Sequence, residues 1–259
     1  MASRTLTRPP RADVTWAWFF DIDGTLVELA ATPSSIIVHD DLPELIDRLN
    51  DLSGGAVSLI TGRAISNVDE LLPLLQVSVA GQHGAEVRMP AGAHHTGEFA
   101  VDFSAIAREV AELCARHPDL IAEYKGSSVA LHYRRAPKLA GYATRFMREL
   151  QSRYGPGLEL QKGKKVVELR PDAVDKGRAI ASLMKRKPFA GRIPVFVGDD
   201  VTDEAGFETV NELGGYSVKV GRGKTRARYR LASVSEVKAW LAEGMSGRTE
   251  IDSRKHGAA

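Results

Sequence analysis

The segment Phe19-Phe20-Asp21-Ile22-Asp23-Gly24-Thr25 carries the sharpest chemical pattern in the 259-residue chain. Two carboxylates two residues apart, leaving a hydrophobic strand, point toward the same side. They can share a divalent cation, whose charge offsets their repulsion. Once part of the phosphoryl charge is neutralised, Asp21 can attack phosphorus. Asp23 can protonate the leaving oxygen and later take a proton from the hydrolytic water. Gly24 lets the backbone turn tightly, and Thr25 offers a turn-stabilising hydroxyl. The competing reading is an ordinary acidic turn closing a strand, and companions further along the chain weigh against it.

Three later segments supply those companions. Thr61-Gly62 follows a strand-like run, where a hydroxyl and a backbone N–H can hold a nonbridging phosphate oxygen; a plain Thr-Gly turn is the alternative. Lys176 falls in the first turn of a predicted helix, where a cation opposes the helix dipole unless it faces an anion. Gly198-Asp199-Asp200-Val201-Thr202-Asp203-Glu204 closes another strand. Cation binding needs such convergence from distant segments, with Asp199 as the direct ligand beside Asp21 and Asp23. Asp200 and Asp203 would orient metal-bound water or Lys176, and Glu204 would cap the next helix. Hard oxygen ligands and a phosphate substrate select Mg2+ over zinc. Gly221-Arg222-Gly223-Lys224-Thr225 does not complete a Walker pattern, because position 218 is Val218.

The elements that must position these groups alternate. Strands are predicted over 15–20, 56–60, 76–80, 194–197 and 216–220, with helices over 40–50, from Ile65 to Leu72, over 175–187 and 204–213, and from Val234 onward. This predicts an α/β core with a mostly parallel sheet and helices on both faces. The middle reads as a small α+β domain: helix 103–116, strand 128–133, helix 138–153, then a hairpin from 158–161 and 165–169. The expected division is a discontinuous core of 14–97 and 172–243, an inserted domain of 98–171, and flexible tails at 1–13 and 244–259.

Lys plus Arg total 35 against 33 Asp plus Glu. That balance argues against a nucleic-acid partner. Cys114 is the only cysteine, so neither an intrachain disulfide nor a cysteine metal cluster can form. No segment approaches the roughly 20 apolar residues of a membrane span, and no signal-peptide pattern stands at the start. The expectation is a cytoplasmic, monomeric enzyme without a membrane or obligate protein partner.

Taken in order, the segments at Asp21 to Thr25, Thr61, Lys176 and Asp199 to Asp203 resemble the haloacid dehalogenase (HAD) superfamily of phosphotransferases. The resemblance implies a HAD-like Rossmannoid core, with Asp21 as nucleophile, Asp23 as general acid/base and the insertion as a substrate-selecting cap. Further stretches, Gly81 to Glu86, Tyr124 to Ser127, His132 to Arg134 and Lys165 to Pro171, are similar to the trehalose-6-phosphate phosphatases over about residues 14–243. That family implies Mg2+-dependent release of phosphate from a sugar phosphate through a phosphoaspartate. In it, the positions matching Glu123, Lys125 and Glu168 contact the glucose units.

Without the resemblance, those three residues read as a solvated strand face with Lys–Glu pairing. Gln82, His83 and Glu86 follow a core strand and can line the core side of the same cleft, His83 being alternatively a structural histidine. Two other functions stay open: phosphatase action on a different sugar phosphate, such as that of sucrose or glucosylglycerol, and a noncatalytic phosphate-binding protein.

Overall fold

The computed structural model describes residues 6–29, 37–73, 75–90, 94–96, 101–163 and 165–246. In chain order the elements begin with β1 (Ala17–Phe20), α1 (Asp41–Leu52), β2 (Val57–Ile60), α2 (Ile65–Leu71), β3 (Ser78–Gly81), β4 (Glu86–Arg88) and β5 (His94–Thr96). Then come α3 (Phe103–Arg116), β6 (Ile121–Tyr124), β7 (Val129–His132), α4 (Ala140–Tyr154), β8 (Leu158–Gly163) and β9 (Val166–Pro171). The chain finishes with α5 (Lys176–Leu183), β10 (Pro194–Gly198), α6 (Glu204–Glu212), β11 (Tyr216–Val220), β12 (Tyr229–Leu231) and α7 (Val234–Ser246). They form two compact units, Met1–His94 with Asp175–Ala259, and His95–Val174.

The first unit is organised by an eight-stranded sheet in the order β12-β11-β10-β1-β2-β3-β4-β5. The ladders from β12 to β3 are parallel, and β4 returns antiparallel to β3. Alternation along β1 decides which helices pack where. Trp18 and Phe20 enter a core with residues of α1, α2 and α7. Ala17 and Phe19 face the other way, into a core with Ile180 of α5 and Phe207 of α6. A strand covered on both faces has to be apolar throughout, as the fully buried Ala-Trp-Phe-Phe run is.

The second unit repeats one pattern: a helix followed by a hairpin, α3-β6-β7 and then α4-β8-β9. Its four strands are antiparallel in the order β6-β7-β9-β8. Val129, Leu131, Val167 and Leu169 turn toward Ile106, Val110 and Met147 of the two helices. The polar side chains of the same strands are left on the opposite face.

Several expectations need correction. β6 was not foreseen, because Ile121-Ala122-Glu123-Tyr124 is an edge strand with both ends exposed and no apolar alternation. The short β4, β5 and β12 also escaped the pattern reading. Asp40, which with Asp41 reads in the sequence as a cap for the first helix, precedes α1 with helical backbone angles and makes no side-chain cap. Cys114, whose place in an apolar helical repeat reads as a buried thiol, is only partly buried.

Of the segments expected as flexible tails, residues 6–13 and 244–246 make contacts with each other and with α7. Trp240 Nε1 donates to the Pro10 carbonyl at 2.8 Å, and Gly244 lies so close to Ala12 that a Cβ would stand 2.4 Å from its side chain. The remaining tail residues, 1–5 and 247–259, and the expected boundary at 97–98, lie outside the described residues.

Candidate active site

The carboxyl ends of adjacent parallel strands gather the polar groups, where a doubly wound sheet offers a crevice. At the end of β1, the Asp21 N–H donates to the Val197 carbonyl of β10 at 2.9 Å, and Ile22 drops into the core beside Phe20. Asp21 therefore falls on the Phe19 side, which α5 covers. Gly24 makes the next turn with φ +82°, and a Cβ there would stand 2.3 Å from Asp199 Oδ2. Only glycine lets the β1 turn approach the acidic loop so closely.

Lys176 joins the two segments. Its Nζ donates to Asp21 Oδ1 at 2.7 Å and Asp203 Oδ1 at 2.5 Å, with all three residues buried. Asp175 caps α5 by accepting from the Arg178 N–H, which leaves Lys176 as the first helical residue facing the site. Asp203 is held independently: its Oδ2 accepts from the backbone N–H groups of Asp199 and Asp200 at 2.8 and 2.9 Å. The Asp200 side chain reciprocates on the Asp203 N–H, a capping box that freezes the loop.

Charge is poorly balanced at this spot. Burial, followed by the effects of neighbours, pushes Asp21 up to about 8, with Lys176 opposing the rise and Asp203 and Asp199 adding to it. Asp199 is pushed up to about 6 by burial and by the carboxylates of Asp203 and Asp200, against the pull of Lys219 and Lys176. Lys176 is held above its ordinary value: burial acts against its charge, but Asp203 and Asp21 outweigh burial. One ammonium shared between two carboxylates stays charged, while the carboxylate with less compensation resists ionising.

The cluster suits a cation. One oxygen from each of Asp21, Asp199 and Asp203 lies within 4.8 Å of the others. Asp199 Oδ1 is buried without a hydrogen-bond partner, although a buried carboxylate oxygen ordinarily has one. An all-oxygen donor set suits a hard divalent ion. The Asp23 carboxylate is not in this group. Arg63 grips it instead, Nε to Oδ2 and Nη2 to Oδ1, both at 2.7 Å.

Thr61 is buried one strand over, its Oγ1 accepting from the Arg63 N–H at 3.1 Å. Gly62 lies against the His83 imidazole, so that a Cβ would meet ring atoms at 2.9 Å. His83 and Gln82 adopt φ of 60° and 47°, a left-handed conformation that costs side-chain-bearing residues energy. Two bonds hold the turn: the His83 N–H to the Thr61 carbonyl and the Gln82 N–H to the Arg63 carbonyl, both 2.8 Å. Glu86 Oε1 accepts from the Ile65 N–H and from Gln82 Nε2 at 2.8 and 3.0 Å, tying the turn to α2.

In the second unit, Glu123, Ala130 and Glu168 are partners across the β6-β7-β9 ladders, which places them in one row on the face away from the helices. Glu168 accepts from Ser128 Oγ at 2.6 Å and from Lys125 Nζ at 3.4 Å, while Glu123 Oε2 lies 2.8 Å from His132 Nε2. The sequence reading assigned no role to Arg63, Ser128 or Lys219. Arg63 had a signal: two residues after Thr61, at a strand end next to that of Asp23. Lys219 sits in a strand among apolar residues and had none.

A mainly parallel sheet with an acidic turn, a lysine and a second acidic loop at its carboxyl edge gives this chain a HAD-like fold. A haloacid dehalogenase-like hydrolase from Bacteroides thetaiotaomicron shares the fold at a TM-score of 0.64 and 17% identity, over 87% of this chain and 97% of that one. The trehalose-phosphatase family model matches residues 19–235. Trehalose-6-phosphate phosphatase of Escherichia coli K12 is 42% identical over 240 residues, covering 91% of this chain and 89% of the relative. The crystal structure of a trehalose-6-phosphate phosphatase related protein superposes at a TM-score of 0.77 with 27% identity, over 90% of this chain and 98% of that one. The chain belongs to the trehalose-phosphatase family of enzymes. No helix among the described residues is long and apolar enough to cross a membrane.

Proposed function

We propose that the chain hydrolyses trehalose 6-phosphate to trehalose and inorganic phosphate, with Mg2+ held by Asp21 and Asp199 and a phosphoaspartate formed on Asp21. The observation that carries this reading is the meeting of buried Asp21, Asp203 and Lys176 with the partly buried Asp199 in one cluster. The cation supplies charge neutralisation of the phosphoryl oxygens. An Asp21 oxygen attacks phosphorus, the bond to the sugar oxygen breaks, and Asp23 delivers a proton to that oxygen. Water then attacks the phosphoaspartate phosphorus, Asp23 takes the water's proton, and phosphate leaves while Asp21 is regenerated.

In this reading Lys176 offsets charge on the Asp21 carboxylate and the transferring group, and Thr61 with Gly62 holds a phosphate oxygen. Asp203 orients Lys176 and, with Asp200, fixes the loop that presents Asp199. Asp23 contributes to the metal site through its place in the same turn, its carboxylate being engaged by Arg63. His83 supports Gly62 from below, and Gln82 and Glu86 brace that support behind the substrate.

Sugar recognition falls to Glu123, Lys125 and Glu168. Carboxylates accept from hydroxyl groups and lysine donates to sugar oxygens, and these residues lie on a sheet face that the unit's own helices leave uncovered. A monomeric cytoplasmic enzyme completes the reading.

A phosphate-release screen over sugar phosphates, with Mg2+ and with a chelator, tests it. Mg2+-dependent release should be strongest with trehalose 6-phosphate. Equal release from sucrose 6-phosphate or glucosylglycerol phosphate would move the assignment to another sugar phosphate.

A further inference from the structure

Lys219 is a buried charge to which the reaction above assigns no task. It lies on β11 between Val218 and Val220, with only 4% of its surface exposed. Among the described residues its ammonium group makes no ion-pair contact with a carboxylate. It donates instead to two main-chain carbonyls, at short range to Asp199 and at 2.9 Å to Val220. Burying an ammonium group forfeits its hydration, and an apolar residue of similar volume is often no less stable. Core stability alone therefore does not account for a lysine here.

Its position gives a different account. The Asp199 peptide is fixed on both sides: its N–H and that of Asp200 donate to Asp203 Oδ2, and its carbonyl accepts from Lys219. The side chain between these anchors carries Oδ1, buried and without a hydrogen-bond partner. We propose that Lys219 is a positioning residue for divalent-cation binding, clamping the acidic loop so that the Asp199 carboxylate is preorganised for the ion. Its charge also stands behind a crowded set of carboxylates and limits their mutual repulsion before the ion arrives. This rests on the reading of Asp199 as a cation ligand.

The test compares Lys219→Met, of similar length but without donors or charge, with the unaltered protein. Mg2+ affinity is measured by calorimetry and by the Mg2+-induced rise in melting temperature, alongside kcat and the KM for trehalose 6-phosphate. Loss of a group that orients a metal ligand typically weakens binding about 10–100-fold. A weakening of that size is expected, with the metal-free protein still folded by circular dichroism and the substrate KM at saturating Mg2+ little changed. Lys219→Arg, which keeps donors and charge, should recover most of the affinity.

If Lys219→Met does not fold, Lys219→Gln is measured in its place, and loss of folding in both variants overturns the proposal by making the lysine a folding element. Unchanged Mg2+ affinity in Lys219→Met overturns it while leaving the phosphatase reading intact. An unaltered protein that binds no Mg2+ overturns both.

Discussion

The Arg63 guanidinium holds the Asp23 carboxylate in a two-pronged grip, with both bonds at 2.7 Å. Arg63 is largely buried and Asp23 partly so. A planar fork of this kind fixes direction as well as distance. If Asp23 transfers the proton to the leaving oxygen, Arg63 sets where that proton is delivered.

Arg63→Met should therefore lower kcat on trehalose 6-phosphate by about 10–100-fold, a part of the about 100–10,000-fold that general acid/base catalysis supplies. An aryl phosphate, whose leaving group needs little proton assistance, should suffer much less. Steady-state kinetics on both substrates make the check, and an equal loss on both would remove Arg63 from the proton step.

Much of this site was legible in the sequence because each part lies where a strand ends. The run before Asp21 is uniformly apolar because β1 is covered on both faces, so its end stands out. Lys176 and the 199–203 loop follow equally clear breaks. What could not be read was contact between segments far apart in the chain. The Arg63 grip on Asp23 spans 40 residues. Asp203 was expected to orient metal-bound water or Lys176, but not to hold the N–H groups of Asp199 and Asp200 as well. β6 was missed because an exposed edge strand needs no apolar alternation. Lys219 was passed over because one charge in an apolar strand reads as an irregularity until its carbonyl partners are known.

The pH dependence of cation binding follows from the raised carboxylates. A cation must displace the protons of Asp21, at about 8, and Asp199, at about 6. Log affinity for Mg2+ should rise with a slope approaching about two below pH 6 and about one between 6 and 8, then level off. Calorimetry across that range checks it, and a flat profile would contradict it.

Stability without metal should run the other way. Both folded-state values lie above the ordinary 3.8, so the folded protein binds the extra protons. Their stabilising contribution is complete below that value and is lost as pH rises through about 6 for Asp199 and about 8 for Asp21. In the presence of chelator, the melting temperature should fall more steeply between pH 6 and 8.5 in the unaltered protein than in Asp21→Asn.

Gly24→Ala places a methyl group 2.3 Å from Asp199 Oδ2 at a φ of +82°. The backbone alone costs about 1–2 kcal/mol, and the acidic loop has to retreat. Mg2+ affinity should fall at least about 10-fold, with a loss of melting temperature of a few degrees. Unchanged affinity would show that the close approach of the two loops does not matter to the ion.

In the proposed reading, substrate choice rests on the second unit's polar sheet face. Polar groups left unpaired by a smaller sugar discriminate strongly, so kcat/KM for trehalose 6-phosphate should exceed that for glucose 6-phosphate by about 100-fold or more. Glu168→Gln, which weakens the bonds from Lys125 and Ser128, should reduce that ratio mainly through trehalose 6-phosphate. A ratio near one in the unaltered protein would remove this face from recognition.

The most direct measurement is Mg2+-dependent phosphate release from trehalose 6-phosphate by Asp21→Asn beside the unaltered protein. An amide keeps the shape but cannot attack phosphorus, so release should drop by at least about 1,000-fold with the fold intact by circular dichroism. Release at the unaltered rate would mean that Asp21 is not the nucleophile.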